Sequence, residues 1–243
     1  MTEFALPMVY LSAAILFLGE HLFPAHKTKP QLTWYIRSVS INSVNLLVFF
    51  LMAMLMESAQ LPSLFHIGEG LPPLAGAFVA YVIFTFVVYW WHRLRHHSAF
   101  FWRTFHQLHH SPKRIETLTA YYIHPLDMLA NLIISNTIVF ALLGLGMEAA
   151  AWYTVITGIA GFLIHANIRL PRQVGYVFQT PEMHRLHHQS SHHANNYSDI
   201  VWWDMLFGTY ANPRESIDHC GFDEASESKV LAMLMTKDIR PEY

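Results

Sequence analysis

The sequence has few charged residues and a single cysteine. Asp, Glu, Lys and Arg make up 13% of the 243 residues, whereas apolar residues make up 53%, a balance typical of membrane proteins. The formal net charge is −2 and the basic residues form no long block, which argues against a nucleic-acid partner. Because Cys220 is alone, an internal disulfide and a cysteine-based zinc site are both excluded.

Five apolar segments approach the length of about 20 residues that crosses a bilayer. They cover residues 4–23, 36–56, 74–91, 126–145 and 149–165. The first lacks the basic start and the cleavage site of a signal peptide, so we expect it to stay in the mature protein. The last two either cross as a hairpin or dip into the membrane and return. We predict an all-α integral membrane protein with about four to five transmembrane helices; a soluble protein with apolar core helices is the less favoured alternative.

The positions of Lys and Arg predict how the chain is oriented. All 15 lie in or next to the parts of the chain that follow the first, third and fifth segments. None lies in the N-terminal tail, in residues 57–73 or in residues 144–148. Since basic residues collect on the cytoplasmic side, this pattern predicts an N-out, C-in protein.

Histidine is abundant, and 13 of the 17 histidines lie between positions 92 and 193. Three groups stand on the predicted cytoplasmic side: HRLRHH at 92–97, HQLHH at 106–110 and HRLHH at 184–188. On helices, residues spaced by three and four share a face, so each group is expected to aim two or three imidazoles at one place. The eight candidate ligands are His92, His96, His106, His109, His110, His184, His187 and His188.

The number of these histidines predicts two metal ions. Imidazole binds iron, zinc, copper and nickel, so the ligand type leaves the metal open. A single zinc ion takes three or four protein ligands, and eight histidines exceed that need. We therefore expect a cytoplasmic helical cap that holds a histidine-rich dimetal site.

Other polar residues near the groups have open roles. His124 and His165 lie at predicted membrane boundaries, and each is either a ligand or a hydrogen-bond partner that orients one. Five carboxylates either orient histidines or serve in ion pairs, caps and turns: Glu116, Asp127, Glu182, Asp199 and Asp204. The histidines not expected to bind metal are His21, His26, His66, His97, His192, His193 and His219.

The order of the motifs resembles the fatty acid hydroxylase and sterol desaturase superfamily over roughly residues 75–212. The shared order is HxxxH, HxxHH, HP, a lone histidine after an apolar hairpin, and HxxHH. The most specific stretch is TPEMHRLHHQSSHHANNYSDIVWWDMLFGTY, in which the last histidine box is followed by NY at 196–197 and WD..FGT at 203–209. The hairpin and final box also resemble the alkylglycerol monooxygenase branch.

Members of this superfamily are membrane enzymes that hold two irons with histidines and use dioxygen and electrons to hydroxylate or desaturate lipids. The resemblance implies that the eight grouped histidines and His165 are ligands of two iron ions, with zinc as the alternative metal. Fatty acid hydroxylases carry a further histidine where this chain has Arg169; that ligand is either missing or replaced by His124. Asn196 and Asp204 are further candidates for a ligand or an orienting group.

The resemblance predicts an oxidoreductase with a lipid substrate and dioxygen as co-substrate. No GxGxxG motif occurs, and one cysteine cannot hold an iron–sulfur cluster, so we expect a separate protein to supply the electrons. The alternatives are a zinc-dependent membrane hydrolase and a non-catalytic metal-binding membrane protein. No catalytic residue beyond the metal ligands is assigned.

We expect three parts along the chain: N-terminal transmembrane helices over 1–73, a catalytic domain over 74–212 and a polar C-terminal tail over 213–243.

Overall fold

The structure is a computed structural model that describes residues 2–58, 62–192, 194–215 and 217–239. In chain order the helices are α1 (Thr2–Leu22), α2 (Leu32–Ser58), α3 (Pro73–His97), α4 (Ala99–Phe101), α5 (Gln107–His110), α6 (Pro125–Asn136), α7 (Met147–His165), α8 (Pro181–His187), α9 (Trp202–Leu206), α10 (Glu224–Glu227) and α11 (Val230–Leu234). A π-helical turn, Trp102–His106, joins α4 to α5, and a second, Thr137–Leu142, extends α6. Two isolated β-bridges occur, and the described residues form no strand.

Five helices are long and apolar enough to cross a membrane: α1, α2, α3, α6 with its π-helical extension, and α7. This confirms the all-helical prediction, and the five helices coincide with the five apolar segments expected from the sequence. Many large side chains of α1 and α2 are exposed, such as Leu11 at 63% and Leu47 at 58%, as expected for surfaces that contact lipid. The last two helices are joined by a turn at residues 143–146, and each is long enough to span.

Two predicted helix ends lie inside the observed helices. We expected the third segment to end at Trp91, but α3 continues to His97. The second segment was expected to begin at Ile36, but α2 begins at Leu32. In both places the added residues are mostly polar or amphipathic, so the hydropathy falls, while the helix continues because some of these side chains, such as Trp34 and His96, are buried against protein. Trp34, for example, is 0% exposed and donates a hydrogen bond from Nε1 to Glu116 Oε1 (2.6 Å).

Proline marks the start of three helices that carry residues of the histidine-rich region. Pro73, Pro125 and Pro181 occupy the first turns of α3, α6 and α8, where a missing N–H costs nothing because it has no partner within the helix. The first turn of α8 is also capped by Thr180, whose side chain accepts a hydrogen bond from Met183 N (3.4 Å).

The spanning helices pack in pairs around α7. Helices α1 and α3 both pack along α7, and α2 packs against α6. A buried core of small and aromatic residues joins α3 to α7, including Ala77, Ala80 and Tyr153. Helix α1 approaches α7 closely at Gly158, where an added Cβ would lie 2.8 Å from Val9 Cγ1. By contrast, α1 and α2 do not pack along each other.

The described part of the segment after residue 213 folds back onto the histidine-bearing segments. Gly221 N donates to His188 O (3.1 Å), and Phe222 N donates to Ser111 O (3.0 Å). Arg37 of α2 forms an ion pair with Glu227 of α10 (2.7 Å). The domain boundary at 212 stays a prediction, but residues 217–239 are part of the packed structure rather than a detached tail.

Candidate dimetal site

Four structural segments bring nine histidines to one end of the helix bundle. The last two turns of α3 carry His92 and His96, and the C-terminus of α7 carries His165. The π-helical turn and α5 carry the 106–110 group, and α8 with its C-cap carries the 184–188 group. None of these nine side chains is more than 7% exposed.

The nine histidines form two groups, each with ligand atoms within 4.8 Å of one another and each able to hold a metal ion. The first group consists of His92, His96, His106, His110 and His187. The second group consists of His109, His165, His184 and His188. These are the nine histidines expected from the sequence; their assignment as metal ligands stays a prediction, and the structure adds that they lie together.

Each HxxHH motif is divided between the two groups, contrary to the expectation from its spacing. We expected each motif to aim its imidazoles at one place. Instead, the first and last histidines of 106–110 belong to the first group and His109 to the second, while 184–188 has the reverse arrangement. The reason is helix geometry: residues i and i+4 are about 40° apart around the axis, whereas i+3 and i+4 are about 100° apart. Each motif therefore contributes to both groups.

Backbone carbonyls fix the tautomer of three rings. His92 Nδ1 lies 2.9 Å from Tyr197 O, His165 Nδ1 lies 2.7 Å from Gly161 O, and His187 Nδ1 lies 2.8 Å from Asn195 O. A carbonyl oxygen only accepts hydrogen bonds, so in the neutral imidazole the proton belongs on Nδ1. The Nε2 atoms of these rings consequently carry lone pairs directed into the two groups.

The convergence of these lone pairs fits a bound cation. In the second group, His165 Nε2 lies 2.8 Å from His184 Nε2 and 3.3 Å from His109 Nε2. Because His165 Nε2 carries no proton, it cannot donate a hydrogen bond to His184 or His109. The three nitrogens therefore cannot all be paired by hydrogen bonds among themselves. Nitrogens about 3 Å apart can both bind a single ion at the usual metal–nitrogen distance of about 2.1 Å. His92 Nε2 in the first group is likewise buried with no hydrogen-bond partner.

Burial keeps the histidines outside the spanning segments in their metal-binding form. Desolvation, followed by the neighbouring imidazoles, lowers the pKa of His110, His184 and His188 well below the usual value. Desolvation does the same for the pKa of His106 and His109, where Arg95 adds to the effect of the neighbouring imidazoles. A metal ligand must be the neutral imidazole, so no proton has to be removed near pH 7. The two groups also touch: the rings of His110 and His188 stack with centroids 4.1 Å apart.

An apolar cavity of about 930 Å³ leads to the histidines. At one end it is lined by members of both groups, including His92, His109 and His165. It continues between α1, α2, α6 and α7 to Met56 and Met147 at the opposite ends of their helices. The length of α7 from His165 to Met147 is ~27 Å at 1.5 Å per residue, comparable with the ~30 Å hydrocarbon core of a bilayer. A long hydrocarbon chain fits this shape.

Comparison with known proteins decides the family. The profile of the family described as fatty acid hydroxylase matches residues 77–209, more than half of the chain. The chain belongs to the fatty acid hydroxylase family. This confirms the resemblance that the order of the histidine motifs predicts, and the matched region contains both histidine groups.

Curated relatives of this family member act on lipids according to their names. An ornithine lipid hydroxylase of Rhizobium tropici is 33% identical over 136 residues, covering 54% of this chain and 40% of the relative. A sphingolipid C4-hydroxylase of Schizosaccharomyces pombe is 24% identical over 184 residues, 71% of this chain and 63% of the relative. The human alkylglycerol monooxygenase is 26% identical over 136 residues, 54% of this chain and 30% of the relative. The chain thus spans less than two thirds of these relatives, and no solved structure matches it.

The NNY stretch of this family member positions the carbonyls that hold two of the rings. Asn195 and Asn196 have positive φ angles of 67° and 54°, a conformation that asparagine tolerates better than most residues. The Asn196 side chain donates to Met183 O (3.0 Å) and Ala211 O (2.8 Å). Asp204 accepts hydrogen bonds from Tyr197 N (2.8 Å) and Thr209 Oγ1 (2.7 Å). Asn196 and Asp204 therefore anchor the loop that carries the carbonyls of Asn195 and Tyr197.

His124 lies in neither of the two groups found among the described residues. Its Nδ1 accepts a hydrogen bond from Leu126 N (3.1 Å) at the start of α6, so its Nε2–H is the donor to Leu234 O (3.2 Å). Both ring nitrogens are thus used by the backbone. The two groups consist of histidines only, so Arg169 does not supply the further ligand.

The histidines that were expected not to bind metal lie elsewhere. His97 is exposed, and its Nδ1 lies 2.9 Å from Arg93 O. His192 contacts Asn195 Oδ1 (3.1 Å), and His26 lies 3.0 Å from Glu182. His21 contacts Tyr35 through the hydroxyl (3.2 Å). His66 and His219 belong to loops outside the two groups, and His193 lies outside the described residues.

Sequence reasoning left the role of Asp127 open, and the structure places it beside the first group. Asp127 is 0% exposed, with Oδ2 2.5 Å from Arg95 Nη1 and 3.5 Å from His106 Nδ1. The other carboxylates take different partners: Glu116 pairs with Arg114 (2.7 Å), and Asp199 accepts from Tyr81 (3.3 Å). The sequence signal is an ionisable residue at the start of an apolar helix of membrane-spanning length, because such residues are usually paired or functional.

Proposed function

We propose that this protein is a membrane-bound diiron oxygenase that hydroxylates a lipid C–H bond, using dioxygen and electrons from a separate protein. The observation that carries the proposal is the pair of adjacent, buried imidazole groups at the end of an apolar cavity. The family supports a reaction on a lipid, and the names of the relatives favour hydroxylation over desaturation. The overall reaction balances as RH + O₂ + 2e⁻ + 2H⁺ → ROH + H₂O.

The two groups would each hold one iron: the first through the five histidines around His187, the second through the four around His184. When bound, the iron pair supplies the redox chemistry that activates dioxygen and oxidises the C–H bond. The chain itself holds the rings in place through the carbonyls of Gly161, Asn195 and Tyr197. Its apolar cavity binds the hydrocarbon chain and keeps bulk water away from the reacting carbon.

We further propose that the histidine groups face the cytoplasm, where a soluble reductase or electron carrier can reach them. All 15 Lys and Arg residues lie in or next to the parts of the chain that follow the first, third and fifth apolar segments. In the proposed orientation these parts are cytoplasmic, as the positive-inside rule expects. Purified protein supplied with NAD(P)H alone is expected to give no oxidised lipid, because the chain has no dinucleotide fingerprint of its own. Lipid oxidation under those conditions would contradict the need for a separate donor.

The proposal is tested by metal content and by the origin of the inserted oxygen. Protein expressed with added iron and purified in detergent is expected to contain about two irons per chain, and His187→Ala to contain less. His97→Ala is the matched control, because His97 is the exposed neighbour of His96 and should leave the iron content unchanged. With a reductase and ¹⁸O₂, the lipid product should carry ¹⁸O. A single zinc that does not respond to iron supply, with no ¹⁸O in any product, would favour the membrane hydrolase instead.

A further inference from the structure

Asn45 is a buried polar residue of α2 that lines the cavity, although α2 lies outside the region matched by the family. It is 1% exposed. Its Nδ2 donates two hydrogen bonds, to Tyr121 O and to Ile123 O, each 2.9 Å long. Because both partners are acceptors, the reverse orientation of the amide would place oxygen against two oxygens. The hydrogen bonds therefore fix which atom is Oδ1.

Asn45 Oδ1 is buried and has no hydrogen-bond partner. Leaving an acceptor unsatisfied is unfavourable, and such atoms in proteins usually meet a partner, an ordered water or a ligand. The position of Asn45 favours a ligand. Tyr122, between its two carbonyl partners, has its backbone beside the His109 ring. His109 and Asn45 line the same cavity.

The surroundings of Asn45 also indicate how a lipid would lie. Helices α1 and α2 both line the cavity but do not pack along each other; near their histidine-side ends His21 Nε2 meets the Tyr35 hydroxyl (3.2 Å). Beyond Asn45, the α2 lining residues toward the far end are Leu46, Phe49, Phe50, Met52, Ala53 and Met56. A hydrocarbon chain is therefore expected to extend along this apolar half, with the polar end of the molecule at the level of Asn45 and His109.

We propose that Asn45 is a specificity-determining residue whose Oδ1 accepts a hydrogen bond from an O–H or N–H group of the lipid, close to the carbon that is oxidised. The preferred substrate is then a long-chain lipid with a hydroxyl or amide donor near its polar end, rather than one whose polar end contains only acceptors. This inference rests on the proposed function, because that function is what identifies the ligand as a lipid. It adds the chemistry by which one lipid is chosen over another.

The test compares two probes that differ in a single donor. N-Hexadecylacetamide carries an amide N–H where hexadecyl acetate carries an ester oxygen. Their affinities are measured by displacement of a fluorescent fatty-acid analogue from the purified, iron-loaded full chain in nanodiscs. Wild type is expected to bind the amide roughly tenfold more tightly than the ester, the effect of one well-placed hydrogen bond. Asn45→Leu should reduce this ratio to about one.

Asn42→Leu is the matched control for lost helix contacts. Asn42 lies one turn before Asn45, and its Nδ2 donates to Ser38 O (2.7 Å) and Leu118 O (3.1 Å). This control removes a similar link to the 117–123 segment and should keep the amide preference. An unchanged ratio in Asn45→Leu would overturn the inference. A wild-type ratio near one would also overturn it, even if Asn45→Leu failed to fold.

Binding and turnover separate this inference from the proposed function. Preferential binding of the amide without ¹⁸O incorporation into any lipid would leave Asn45 as a selective contact and contradict the oxygenase. Incorporation of ¹⁸O into both probes, with equal affinities, would support the oxygenase and contradict the role of Asn45.

Discussion

Asp127 places a negative charge inside the protein, between a buried arginine and the first histidine group. Both Asp127 oxygens lie within 2.6 Å of Arg95 Nη1, and the two side chains are 0% and 6% exposed. A buried ion pair contributes little net stability compared with an apolar pair, but removing one partner leaves the other charge uncompensated. The pair is therefore expected to be sensitive to single substitutions and tolerant of a double one.

We predict that Asp127→Asn lowers the stability of the protein by about 3–5 kcal/mol and also weakens metal binding, since Oδ2 lies near His106 Nδ1. Thermal unfolding in detergent and iron content measure the two effects. Glu227→Gln is the control, because its ion pair with Arg37 is more exposed and should contribute no more than about 1 kcal/mol. Recovery of stability in Arg95→Met with Asp127→Leu is expected; equal stability of Asp127→Asn and wild type would refute the argument.

Asp199 predicts how stability changes with pH. Burial raises the pKa of this carboxyl to about 6, and the hydrogen bond from Tyr81 offsets part of the rise. Because the folded-state pKa lies above the unfolded value of about 3.9, the carboxyl contributes stability that is fully present below pH ~4 and is lost as the pH rises through ~6. Asp199→Asn, which stays neutral, should therefore be more stable than wild type at pH 7.5, by up to about 3 kcal/mol.

Thermal unfolding of Asp199→Asn and wild type from pH 4.5 to 7.5 checks this prediction, and the difference should shrink toward acid pH. Asp223→Asn provides the control. Hydrogen bonds from Ser226 lower the pKa of Asp223, so its contribution is complete above about pH 4, and its difference from wild type should stay constant over this range. A difference between Asp199→Asn and wild type that does not vary with pH would show that burial of the charge has no effect.

At the level of secondary structure, the sequence predicts the spanning helices well because lipid-facing surfaces are apolar over their whole length. The ends are less predictable. Trp34 lies in α2 and His96 in α3 because both contact protein, and neither residue raises the hydropathy that marks a span. The motif spacing predicts which histidines come together, but not their division into two groups. The angle between positions i+3 and i+4 of a helix allows the division, but it takes effect only through the orientation of α5 and α8 and the π-helical turn at His106, for which the sequence has no clear signal.

The C-terminal segment is the element that sequence reasoning described least well. Its composition is polar, but Gly221 and Phe222 form hydrogen bonds with both the segment after His110 and the segment at His188. Gly221 has a φ of 73°, and an added Cβ would lie 2.3 Å from Pro112 O. Only glycine fits there, because both the conformation and the space exclude a side chain.

We predict that Gly221→Ala lowers stability by at least about 2 kcal/mol and reduces iron content without changing any histidine. Gly208→Ala is a closely matched control: Gly208 has a φ of 74°, but nothing lies within 4 Å of its added Cβ. The control therefore shows the effect of backbone strain alone. Thermal unfolding and metal analysis compare the two variants, and an equal effect of both would mean that the close approach to Pro112 contributes nothing.

For the whole molecule, the fold and the charge pattern can be tested together. The nine histidines lie at the ends of α3 and α7 that face the segments rich in Lys and Arg, whereas Glu148 lies at the other end of α7. If the positive-inside rule holds, the histidine end is cytoplasmic and Glu148 is outside. The same orientation gives a soluble electron donor access to the metal site and leaves the apolar cavity within the bilayer.

Single-cysteine labelling measures this orientation in intact cells. In a Cys220→Ser background, Glu148→Cys is expected to react with a membrane-impermeant maleimide from outside, and Lys113→Cys only after the cells are permeabilised. Both native side chains are exposed, so a difference in labelling reports the side of the membrane rather than burial. The reverse labelling pattern would place the histidines outside. It would then require an electron donor on that side, because the metal site cannot receive electrons from the cytoplasm across the ~30 Å hydrocarbon core.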